Sequence, residues 1–117
     1  MTKFVDKTQK ESDPKARAKQ LSDELNVPVI GVKTRAGLYM FIRMIPTGQS
    51  HREFVRSSLK QDDTYRAMTN YVCANVVDPT AQDARRALDE EPWHYMAIFD
   101  RLMAGIQTEI IDPKEED

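Results

Sequence analysis

The sequence predicts an α+β protein: a β-hairpin near the N-terminal part followed by a bundle of three to four short helices. Three observations predict it. Two β-branched, apolar runs between residues 27 and 45 flank a short polar segment that contains glycine. From Ser50 onward the apolar spacing is helical and is cut by acidic and proline breaks. The length of 117 residues sets a single domain, enough to bury roughly two-thirds of the surface of the unfolded chain.

Residues 1–12 are polar and without period, and are expected to form a flexible N-terminus. The globular domain is assigned to 13–110 and an acidic, disordered tail to 111–117. Asp13-Pro14 starts a helix, a capping side chain followed by proline at the first helical position. Ala18, Leu21 and Leu25 form its narrow apolar stripe, which packs weakly unless it is docked on a neighbour. Val27, Val29, Ile30 and Val32 then read as a strand, with Pro28 at its start or edge. Leu38 to Ile45 is the second strand; it is apolar at all but Arg43, so both of its faces must be covered. With only two strands expected, Tyr39 and Phe41 form the exposed pair.

Ser50 with Glu53 is a capping box for a helix over 50–60, whose buried face is Phe54, Val55 and Leu59. Asp62 or Asp63 caps the next helix, 64–77, where Tyr65, Met68, Val72 and Val76 recur at helical intervals and Tyr71 and Cys73 widen the stripe. Asp78-Pro79-Thr80 stops this helix and, with Asp83, restarts another that runs exposed from Ala81 to Leu88. Glu91-Pro92 opens the strongest helix. Tyr95, Ile98, Phe99, Leu102 and Ile106 cover one side of it, Trp93, Met96 and Met103 extend that side, and Gly105 loosens or caps its end.

The search for chemistry finds little. Cys73 lies in an apolar stripe and reads as a small buried hydrophobe. His51 and His94 are too far apart, with one cysteine, for a zinc pattern. The four glycines make no phosphate-cradling loop, and there is no GxSxG elbow. Asp62-Asp63 and Glu90-Glu91 stand at helix ends, where carboxylates complement the helix dipole. The expectation is therefore no catalysis, no cofactor and no metal. Seventeen basic residues against nineteen acidic give a net charge of −2, which does not favour a nucleic-acid partner. The N-terminal residues lack the apolar stretch of a signal peptide, and no run approaches the ~20 apolar residues of a membrane span. The remaining function is protein binding through apolar surface, and the candidate contact residues are Tyr39, Phe41, Trp93, Met96 and Met103.

The segment from Phe54 to Glu109 resembles the tail assembly chaperones of long-tailed bacteriophages. The likeness rests on the β-rich part that precedes it, on the run Tyr71-Val72-Cys73-Ala74-Asn75-Val76-Val77-Asp78-Pro79, and on the weakly apolar helix and short closing helix that follow. It implies a non-catalytic role in the cytoplasm of a bacterial host: binding the apolar tape measure protein and tail tube subunits during tail morphogenesis, with a homo-oligomer compatible. The length of the β-rich segment 27–45 is a departure, and it matches no motif of the family. Two other readings stay open. One is a structural head–tail connector or tail terminator subunit. The other is a small DNA-binding regulator using residues 50–77, although the second of its helices offers few side chains able to reach phosphates or bases.

Overall fold

The computed structural model describes residues 13–60, 63–106 and 110–113; the flexible terminus expected at 1–12 and most of the acidic tail lie outside them. In chain order the elements are α1 (Pro14–Leu25), β1 (Val29–Lys33), β2 (Tyr39–Arg43), α2 (Gly48–Leu59), α3 (Thr64–Ala74), β3 (Val76–Asp78), α4 (Ala81–Glu90) and α5 (Trp93–Gly105). The architecture is α+β, as the sequence predicts.

Helix α1 begins where Asp13 accepts a hydrogen bond from the Lys15 N–H, and ends at Asn26, whose φ of 58° is the left-handed stop that asparagine tolerates. Its thin stripe is docked on the sheet. Leu21 forms a small cluster with Val29 and Phe41, flanked by Ala18, Val27, Tyr39 and Val77. The Arg17 guanidinium adds hydrogen bonds of 3.3 and 3.1 Å to the Asp78 carboxylate.

Strands β1 and β2 form the expected hairpin, with Val29 opposite Arg43 and Lys33 opposite Tyr39. Gly37, at φ +94°, closes the turn, a conformation that other L-residues rarely adopt. On its other edge β2 pairs antiparallel with β3, Phe41 opposite Asp78 and Ile42 opposite Val76, so the sheet order is β1-β2-β3. This third strand replaces the last turn predicted for the helix 64–77. Asn75 ends that helix: its Nδ2 donates to the Tyr71 carbonyl at 2.9 Å, taking the place of the next backbone bond. The β-branched Val76 and Val77 then continue as strand.

Consequently β2 is central and enclosed. Met40, Ile42 and Met44 share one face and join the main core with Met68, Tyr71, Val72 and Cys73 of α3, Ala84 and Leu88 of α4, and Tyr95, Ile98 and Leu102 of α5. Phe41 points the other way, under α1, and is only 4% exposed; Tyr39 is half-buried. The expected exposed pair Tyr39/Phe41 is thus corrected, because α1 and β3 supply the cover that a two-stranded sheet lacks.

The helices bring further corrections. Helix α2 is capped by Thr47, whose side chain accepts from the Ser50 N–H at 3.2 Å; Ser50 is buried, and Glu53 pairs with Arg56 on the surface instead of closing a box. Phe54 packs on the core, but Val55 and Leu59 are exposed, as is Tyr65 at the start of α3. Asp63 caps α3 and Thr80 caps α4. Helix α4 is not exposed throughout: Ala84 and Leu88, one turn apart, are fully buried. Glu91, between α4 and α5, does more than complement a dipole. Its carboxylate accepts from the backbone N–H groups of Arg35 and Ala36 in the hairpin turn and is 2.9 Å from His94 Nε2. The Arg35 N–H in particular, with help from His94 and Ala36, holds its carboxyl below the usual carboxylate range.

Candidate partner-binding groove

Helices α2 and α5 lie side by side across α3 and run in opposite directions. At mid-length the rings of Phe54 and Phe99 are 5.3 Å apart, and both pack on Tyr71 of α3, at 4.9 and 5.9 Å. At one end the start of α2 meets the end of α5, where Ile45, Pro46, Thr47, Gly48, His51, Arg52, Gly105 and Ile106 line a hollow of about 650 Å³. Gly105 is needed there: a Cβ at this position would stand 3.0 Å from the Met44 carbonyl oxygen.

Helical spacing explains how apolar side chains line the two walls. On α2, His51, Val55 and Leu59 follow at four-residue intervals, beside the inward Phe54. On α5, Tyr95, Ile98 and Leu102 face the core, and Phe99 at mid-length and Ile106 at the end mark the flank turned toward α2. Phe99 and Met103 are half-buried against the core. Leu59 is 79% exposed and Met96 54%, with Ile45, Val55 and Ile106 also exposed. The far end carries Trp93, at 55%, and Tyr65, whose ring meets that of Tyr95 edge-on at 6.1 Å. Large exposed apolar residues thus recur along both α2, about 18 Å long at 1.5 Å per residue, and α5. Arg52, Arg56 and Lys60 also follow one another at four-residue intervals, at the surface. The neighbouring hollow between α2 and α3 is more polar, lined in part by Gln49, Glu53, Ser57 and Asn70.

Of the residues singled out from sequence, Trp93, Met96 and Met103 fall together on α5. Tyr39 and Phe41 do not join them, because they lie on the opposite side of the sheet, against α1. Sequence reasoning assigned Val55, Leu59 and Ile106 to the interior and so missed one wall of the groove and its end. Periodicity could place these residues on a face but not say which face has a partner.

The groups able to do chemistry are tied into the structure. His51 Nδ1 and the Tyr71 hydroxyl form a hydrogen-bonded pair at 3.2 Å. Cys73 is buried, and burial pushes its thiol pKa up, the reverse of an activated nucleophile. The Tyr95 hydroxyl, also pushed up by burial, donates to Asp89 at 2.8 Å. Among the described residues no group of three or more His, Cys, Asp or Glu is placed to hold a metal ion, and no helix is long and apolar enough to cross a membrane. In α3 six of eleven residues are buried, leaving Thr64, Tyr65, Arg66, Asn70 and Ala74 at the surface. Comparison with protein-family models, curated proteins and solved structures returns no match.

Proposed function

We propose that this chain is a non-catalytic assembly factor that holds an apolar segment of another protein in the groove between α2 and α5. The observation that carries the reading is the exposure of Val55 and Leu59 on α2 and of Met96 on α5, two helices joined at mid-length by Phe54 and Phe99 and at one end by a hollow that Ile45 and Ile106 help to line. Exposed apolar surface of that kind costs solubility unless a partner covers it, and an amphipathic helix laid into a groove is a common way to cover it. Methionines at 96 and 103 suit a site that accepts variable apolar sequences. The resemblance noted above supplies the biological form: a bacteriophage tail assembly chaperone, working in the host cytoplasm, whose partners are the tape measure protein and tail tube subunits.

The test is co-expression with a tape measure protein of a long-tailed bacteriophage. The wild-type chain should bring that protein into the soluble fraction. Val55→Asp with Met96→Asp should not, while melting at the wild-type temperature because both positions are exposed. Equal insolubility of the tape measure protein with and without the wild-type chain would end the proposal.

A further inference from the structure

We infer that β1 pairs antiparallel with β1 of a second copy of this chain, Gly31 facing Gly31 across a two-fold axis, so that two three-stranded sheets become one of six. The inference uses the sheet edge and does not depend on the surface of α2 and α5. In the order β1-β2-β3, β1 has β2 on one side and, among the described residues, no strand on the other. The ladder decides which backbone groups are left over. The Met44 N–H donates to the Pro28 carbonyl at 2.7 Å and the Thr34 N–H to the Leu38 carbonyl at 2.9 Å, so residues of even number turn their backbone toward β2. The N–H and carbonyl groups of Val29, Gly31 and Lys33 therefore point to the open edge. The Val29 N–H is taken by Ser22 Oγ at 2.9 Å. Those of Gly31 and Lys33 have no acceptor among the described residues, and both residues are exposed.

A second copy is the occupant because this edge matches itself in backbone and in charge. In the two-fold register each Gly31 N–H donates to the other Gly31 carbonyl, and each Lys33 N–H to the other Val29 carbonyl. Ile30 and Val32, half-buried against the main core, come to lie side by side across the junction. Opposed residues of an antiparallel pair share a face, so Lys33 of each copy arrives opposite Val29 of the other, where Ser22 marks the last turn of α1. The Lys33 ammonium is 5.6 Å from the Tyr39 ring centroid and has no carboxylate partner among the described residues. That last turn carries Asp23 and Glu24 and no basic residue. Asp23 pairs with Lys19 at 3.7 Å, while Glu24 accepts from the neutral Gln20 at 3.1 Å. The second copy's Lys33 supplies the cation that this helix end lacks. The two Lys33 residues stay four positions apart along the strands, about 14 Å, which is beyond the screening length of ~8–10 Å. The pairing also closes on itself, because the other edge, β3, is three residues long and is followed by Pro79.

Sedimentation of the full chain over a range of concentrations, with amide hydrogen exchange followed by NMR, tests this. The chain should pass from monomer to dimer as concentration rises. In the dimer the Gly31 and Lys33 amides should exchange at least about tenfold more slowly than in the monomer, while that of Val29, bonded in both, keeps its rate. Lys33→Glu should weaken the dimer about tenfold, and Asp23→Lys with Glu24→Lys in the same chain should restore it. A monomer at every concentration would overturn the inference. So would a dimer whose Gly31 and Lys33 amides exchange as fast as in the monomer, or a Lys33→Glu chain that dimerises like the wild type. Slowed exchange at these two amides only after a tape measure protein is added would give the edge to a partner's strand, and would overturn self-pairing as well.

Discussion

Replacing Asn75 with alanine removes a fully buried side chain that joins the start of α2 to α3. Its Oδ1 accepts from the Thr47 N–H at 3.0 Å, and its Nδ2 donates to the Tyr71 carbonyl at 2.9 Å and to Ser50 Oγ at 3.1 Å. Ser50 still donates to the Thr47 carbonyl at 2.9 Å after the substitution, so its hydroxyl keeps a partner. The Thr47 N–H and the Tyr71 carbonyl lose the bonds that Asn75 made to them. Each such buried group costs about 1–3 kcal/mol, so the expected loss is about 3 kcal/mol, a large part of the roughly 5–15 kcal/mol that holds a domain together. At about 4 °C per kcal/mol for a chain of this size, the melting temperature should fall by about 12 °C. Thermal and urea unfolding followed by circular dichroism measure it, with Ser50→Ala as the control expected to lose about 1 kcal/mol. If Asn75→Ala loses no more than Ser50→Ala, the account of the Asn75 side chain as the tie between α2 and α3 is wrong.

Three other outcomes follow from the structure. Glu91 has its pKa lowered in the folded state, so its contribution is present above the unfolded carboxylate pKa and is lost as pH falls through the folded one. Lowering pH from about 5 to about 3 should therefore depress the melting temperature of the wild type more than that of Glu91→Gln. Phe41→Ala should cost about 3 kcal/mol in urea unfolding, because the ring is buried between α1 and the sheet; a loss below about 1 kcal/mol would return Phe41 to the surface. Gly105→Ala, which in a free helix would stabilise, should here lower the midpoint by about 1 kcal/mol or more, since the added methyl meets the Met44 carbonyl oxygen.

Local signals carried much of the fold. Asp13-Pro14, Asp63 and Thr80 mark helix starts by chemistry that acts within a few residues, and the structure uses all three. Errors arose where the deciding partner is distant in sequence. Val76 continues the helical spacing of Met68 and Val72, and only pairing with Ile42 makes it a strand residue. Thr47 and Ser50 are both good caps by type; Asn75, 25 residues beyond Ser50, draws Ser50 inward and leaves Thr47 as the cap. The groove was half legible. The α5 residues Trp93, Met96 and Met103 stood out as surplus to one helical face, whereas Val55 and Leu59 look like core until α3 is seen to pack on the neighbouring flank of α2.

Strand β2 separates two clusters of very different size, twelve buried residues on the side of α3 to α5 and three on the side of α1. Two tiers of cooperativity are the expected consequence. Detaching α1 forfeits the smaller cluster, the Arg17–Asp78 pair and the bond from the Val29 N–H to Ser22 Oγ, so amides of the first helix should exchange with solvent faster than those of α3 and the central strand. An opening of that kind would bring Phe41 to water beside Tyr39.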